Sequence, residues 1–133
     1  MDKASIRHRS LGCVLLVVLL GMQAASAQPP PAKEVMRQKL AHAQAVLGAV
    51  VTSDWTALGR ESRALMALTK DPAWVALVTP DTRHRTDSFV LALQDLISSA
   101  DRRNLDDAVM AEVSMNLQCV RCHQLMARQK RGQ

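Results

Sequence analysis

The sequence predicts an all-α fold, an antiparallel up-down-up-down four-helix bundle. Three observations carry this expectation. Apolar residues recur at spacings of three and four through four separate stretches of the chain, the period of a helix with one face turned inward. Short clusters of turn and capping residues, Ser53-Asp54, Asp71-Pro72 and Arg102-Arg103-Asn104, separate those stretches. No stretch alternates as a strand with a partner to pair with, and there is no internal repeat. Four amphipathic helices with short links and one longer crossover are the pattern of such a bundle.

Each element has its own justification. Gln28-Pro29-Pro30-Pro31 is a stiff, exposed lead-in. From Ala32 to about Val51, the residues Met36, Leu40, Ala43, Leu47 and Val50 mark the expected inward stripe of a first helix. Ser53 and Asp54 supply turn and cap chemistry. The second helix carries Trp55, Leu58, Ser62, Leu65 and Thr69 along one side, with Met66 and Leu68 beside them. Asp71-Pro72 ends it, since proline cannot continue a helix. The segment Ala73 to Thr79 is short and apolar; without a partner strand it reads as a packed crossover. Thr79 or Asp81 caps the third helix, which runs to about Ala100 with Phe89, Leu93, Leu96 and Ala100 at core spacing. Asn104 or Asp106 opens the fourth, with Val109, Val113, Leu117 and Val120 as its expected inward stripe and an end near Arg128.

Residues 1–27 read as a secretory leader. Lys3, Arg7, His8 and Arg9 form a basic front, an apolar run extends from about Leu11 to Met22, and Ala25-Ser26-Ala27 is a small-residue cleavage site before Gln28. A retained membrane anchor is disfavoured because the apolar run is short, whereas spanning a bilayer takes roughly 20 residues. Cys13 precedes the apolar core rather than following it, which argues against a lipid-modified cysteine. Cleavage after Ala27 leaves one domain, residues 28–133, exported to the periplasm with no stable membrane insertion. A chain this short has a modest core and commonly draws on a metal, cofactor, disulfide or partner subunit.

Removing the leader takes out three Lys/Arg and one Asp, so the net charge falls from +5 to +3. There is no Tyr, Phe89 is the only Phe, and no basic stripe is interleaved with aromatics. Nucleic acid is therefore not an expected partner.

Near the far end stands Cys119-Val120-Arg121-Cys122-His123. C-x-x-C-H is the attachment signature of a c-type haem. Two cysteines three apart can each form a thioether to a porphyrin vinyl group, and the adjacent histidine can bind the iron. On a helix, positions i, i+3 and i+4 share one face, so both sulfurs and the imidazole point the same way. Two other readings compete. A thioredoxin-like thiol pair normally opens a helix after a strand of a βαβ unit, and no convincing strand precedes this one. A zinc site would have three ligands packed into five residues, with His42 and His84 far away in sequence. The reading favours one covalently attached haem c per subunit, through Cys119 and Cys122, with His123 as the axial ligand to iron.

The opposite side of the iron decides its use. A Met or His there gives a six-coordinate centre suited to electron transfer, whereas an apolar residue leaves room for diatomic ligands. Met36 and Leu40, one turn apart on the first helix, are the residues best able to cover that side. Met110 and Met115 share the helix of His123 and are poorly placed to reach over the ring. His42 lies off the apolar stripe and reads as a surface residue.

Taken together, the exported bundle, the first-helix run Val35-Met36-Arg37-Gln38-Lys39-Leu40 and the C-x-x-C-H near the end of the fourth helix resemble the cytochrome c-prime and cytochrome c-556 group of bacterial periplasmic haem proteins. The likeness extends over essentially all of the chain after the leader. It implies that Cys119, Cys122 and His123 hold the haem and that a Met or Leu of the first helix faces its distal side. Counting back from Ser53-Asp54 places that position at Leu40, with Met36 one turn earlier. Leu40 implies a five-coordinate, high-spin c-prime type, and Met36 a six-coordinate, low-spin c-556 type. Where the group often has an aromatic and an Arg soon after the haem histidine, this chain has Met126, Ala127 and Arg128. The resemblance also implies a homodimer formed through the first two helices.

No acid–base pair, nucleophile triad or second cofactor motif appears, so the expected protein is not an enzyme. It is a periplasmic carrier of single electrons for redox partner proteins. The alternatives are a five-coordinate haem protein binding nitric oxide or carbon monoxide, and a thiol–disulfide redox protein using Cys119 and Cys122.

Overall fold

The computed structural model describes residues 31–132; the expected leader, its cleavage point and residues 28–30 of the lead-in lie outside them. The protein is all-α over these residues, with helices α1 (Pro31–Thr52), α2 (Trp55–Leu68), α3 (Pro72–Val75), α4 (Pro80–Arg102) and α5 (Leu105–Arg131). The four long helices form the expected antiparallel bundle, and the crossover contains one short helical turn, α3.

The breaks follow from side-chain chemistry. Asp54 caps α2 by accepting the Ala57 N–H at 2.9 Å, and Asn104 caps α5 by accepting the Asp107 N–H at 3.1 Å. At the start of α4, Thr79 and Thr82 each accept the other's backbone N–H, satisfying two donors that a helix N-terminus leaves free. Proline opens α1, α3 and α4, where its missing N–H costs nothing. Ser53 and Arg103 end the helices before them in the left-handed region, at φ 55° and 54°. That conformation favours glycine. Arg103→Gly is therefore expected to stabilise the fold by about 0.5–1 kcal/mol, read as a higher thermal midpoint; a lower midpoint would contradict it.

The centre is built from Leu58 and Leu65 of α2, Phe89, Leu93 and Leu96 of α4, Val46 of α1 and Met115 of α5, all closed to solvent. The α2 and α4 stripes match those expected from spacing. That of α1 matches at Val50, with Met36 and Ala43 half-buried against the core, but not at Leu40 or Leu47, and that of α5 does not match. Leu40 is 59% exposed, Leu47 49% and Val113 53%, and Val109, Leu117 and Val120 also face outward. The buried positions are Val35, Val46, Ala49 and Val50 on α1, and Ala108, Ala111 and Met115 on α5. Apolar residues stand on more than one side of each helix, as Val46 and Leu47 do on α1 and Val113 and Met115 on α5, so spacing alone left the phase open. Alanines take the α5 core positions because α4 and α5 pack along most of their length.

Cross-helix contacts fix the arrangement. Asp81 at the start of α4 accepts from Gln129 at the end of α5, 2.9 Å, as antiparallel neighbours require. Arg63 of α2 pairs with Asp101 of α4 at 3.0 Å, in an exposed position where such a pair contributes about 0–1 kcal/mol. His42 of α1 is hydrogen-bonded to Glu61 of α2 at 2.7 Å, and this bond, with a second from Arg60, holds the Glu61 carboxyl below its usual range. Among the described residues, no helix is long and apolar enough to cross a membrane.

Candidate functional site: a crevice at the end of the bundle

The helices are unequal, and that inequality makes the site. At 1.5 Å per residue, the 14 residues of α2 span roughly 21 Å and the 23 of α4 roughly 35 Å. Where α2 stops, the crossover takes its place, and Trp74 of α3 enters the core there. It stacks on Phe89 with ring centroids 5.5 Å apart and planes at 26°. The seam between α1 and α5 is also the least extensive contact between neighbouring long helices. The start of α1, the crossover, the start of α4 and the end of α5 thus surround a crevice rather than a closed core.

Cys119, Cys122 and His123 open onto this crevice. They lie well inside α5, so their spacing puts them on one face. Both cysteines are partly buried free thiols, and His123 is exposed. Three adjoining clefts of about 30, 110 and 360 Å³ meet at His123, and the last of them reaches the roughly 300–1,000 Å³ range of ligand pockets. One lies toward the crossover and is lined by Trp74, Leu77, Val78 and Cys122. A second lies in the α1–α5 seam, lined by Leu40, Ala43, Asn116 and Cys119. The third opens at the very end, between Ala32, Leu77 and Met126.

The expected distal residues part company here. Met36, partly buried, lines all three clefts alongside His123, whereas Leu40 lines only the seam cleft, at its outer rim. His42 lies apart, held by Glu61.

Lys39 was not singled out by sequence reasoning, although it is one turn beyond Val35 on the face that is actually buried. It lines two of the three clefts, with Nζ 4.2 Å from the Trp74 ring centroid and 4.0 Å from that of Phe89. The only signal for it in the sequence was its place among the apolar positions of α1.

The donor set suits a flat ring more than a point ion. Among the described residues no three His, Cys, Asp or Glu side chains converge as metal ligands do. Two free thiols and an imidazole along one helix face, opening into a mainly apolar crevice that also holds an ammonium, fit a haem with its thioether links, iron and carboxylates. Two other grooves offer less. One between α4 and α5, lined by Asp95, Ser98, Arg102 and Asp107, lies at the opposite end. The other, lined by His84, Arg85, Arg121 and Arg128, with Asp81, makes the flank of the crevice end basic.

Fold and site together define a class, a helical four-helix-bundle protein with a C-x-x-C-H face at an open end. The chain matches no protein-family model, no curated protein and no solved structure.

Proposed function

We propose that this chain is an exported c-type cytochrome of the c-prime and c-556 kind, carrying one haem c and passing single electrons in the periplasm. The observation that carries the reading is that Cys119, Cys122 and His123 share one face of α5 and open into an apolar crevice with Met36 across it. When bound, the haem supplies an Fe(III)/Fe(II) couple. Cys119 and Cys122 would hold it by thioethers, and His123 would bind the iron through an imidazole nitrogen. Met36 would take the sixth position with its thioether sulfur, and Leu40 at the rim would screen that side from solvent. Trp74, Leu77 and Val78 exclude water from the inner wall, and apolar burial is one of the terms that sets a haem potential. Arg85, Arg121 and Arg128 beside the crevice suit a redox partner with an acidic surface, whose approach such charges would steer. The proposed role is that of a carrier and not of an enzyme.

A second reading, reversible binding of nitric oxide or carbon monoxide at a five-coordinate iron, draws support from the open α1–α5 seam and the exposure of His123. Absorption spectra separate the two. The carrier reading predicts a low-spin ferric protein that Met36→Leu converts to high-spin, with Leu40→Ala leaving the wild-type spin state alone. A high-spin wild type, unaffected by Met36→Leu, would give the position to gas binding. A pyridine haemochrome spectrum of c type is expected in either case; its absence, with two titratable thiols, would favour thiol–disulfide chemistry.

A further inference from the structure

Lys39 is held in an unusual setting. Lysine is almost never buried unless paired, yet its ammonium sits against Trp74 and Phe89, rings only 5% and 2% exposed. The ion pairs among the described residues are Arg37–Glu34, His42–Glu61, Arg60–Glu61, Arg63–Asp101 and Arg102–Asp107. None of them involves Lys39. Lys39 is half-buried, and contact with the ring faces offsets only part of what its ammonium loses on leaving water. The cavity therefore holds a cation whose compensation is incomplete.

Burial pushes the Lys39 amine down, and negative charge on Cys119 and Cys122 acts the other way. The group that would enter the crevice brings two carboxylates of its own.

We propose that Lys39 is the carboxylate-binding residue of the crevice, pairing its ammonium with a propionate of the bound haem. This rests on the haem reading above and adds a role for the chain's own residue. Lys39 is a positioning residue: it fixes which edge of the ring turns inward toward Trp74 and Phe89. As a retained positive charge in a water-poor wall, it also favours the reduced iron over the oxidised one, which carries one more positive charge.

The test uses the haem-loaded protein and the variants Lys39→Met, which keeps length without charge, and Lys39→Arg, which keeps charge. Lys39→Met should retain the haem mass and the wild-type spin state, lower the midpoint potential and shift the propionate bending band in the resonance Raman spectrum. Lys39→Arg should return the potential most of the way. An unchanged potential and band in Lys39→Met would overturn the proposal. So would a change of spin state, which would make Lys39 an iron ligand. If Lys39→Met fails to accumulate, the wild-type and Lys39→Arg proteins carry the test: matching potentials with a displaced propionate band support the pairing, and an identical band removes it. Absence of covalent haem from the wild type would be a failure of the haem reading itself, seen before any variant is made.

Discussion

Replacing His123 by alanine is expected to abolish the native absorption spectrum while leaving the haem mass on the chain. On the proposed haem reading the imidazole and the two sulfurs would do different jobs on one face of α5: the sulfurs would tether the ring, and the imidazole would tie the iron to the helix. His123 is exposed, so a structural loss on its removal is expected to come through the cofactor. Loss of such an anchor ranks among the mechanisms that give large effects, about 2–4 kcal/mol, which in a domain of this size moves the thermal midpoint by roughly 8–30 °C. Visible absorption and melting of the loaded variant check this. An unchanged spectrum and midpoint would assign the iron to another residue.

The second large effect is expected from Cys119 and Cys122. Replacing both by alanine should eliminate haem staining on a denaturing gel, and replacing either one should leave a single thioether with a weaker signal. Their partial burial beside the crevice and their separation of one helical turn make each sulfur available to one vinyl group. The effect is a loss of covalent attachment more than of the fold: Cys119 packs against the core, but both cysteines are only partly buried, and alanine removes one sulfur at each while leaving the core side chains Leu58, Leu65, Phe89, Leu93, Leu96 and Met115 in place. A double variant that still stains would require another point of attachment.

Much of this architecture was legible in the chain before any coordinates. The breaks at Asp54, Thr79 and Asn104 were readable because capping is local: a short polar side chain needs only the next turn of its own helix. The stripes on α2 and α4 were readable because polar residues bound them closely, as Arg60 and Arg63 do around Leu58 and Ser62. On α1 and α5 that boundary is missing. Ala43, Val46, Leu47, Ala49, Val50 and Val51 crowd one segment of α1, and which of them face the core depends on how the helix rolls against α2, a tertiary fact. Leu40 therefore came out at the rim, and Val113 and Val120 outside.

The site divides in the same way. Cys119, Cys122 and His123 were legible because one helix face settles their relation. The crevice was not, because it arises from the shortness of α2 and the entry of Trp74 from the crossover, two things that no spacing in α5 records. Lys39 was invisible for a related reason. A lysine among apolar residues ordinarily reaches its ammonium out to water, and only the Trp74–Phe89 pair, brought in from two other elements, shows that this one is turned inward.

The central claim is covalent haem on this chain, and the intact mass of the protein, expressed with a haem-attachment pathway and measured after denaturation, tests it most directly. The account predicts the polypeptide mass plus one haem, with both thiols of the C-x-x-C-H consumed. A mass equal to the bare polypeptide, with Cys119 and Cys122 free or joined as a disulfide, would contradict it.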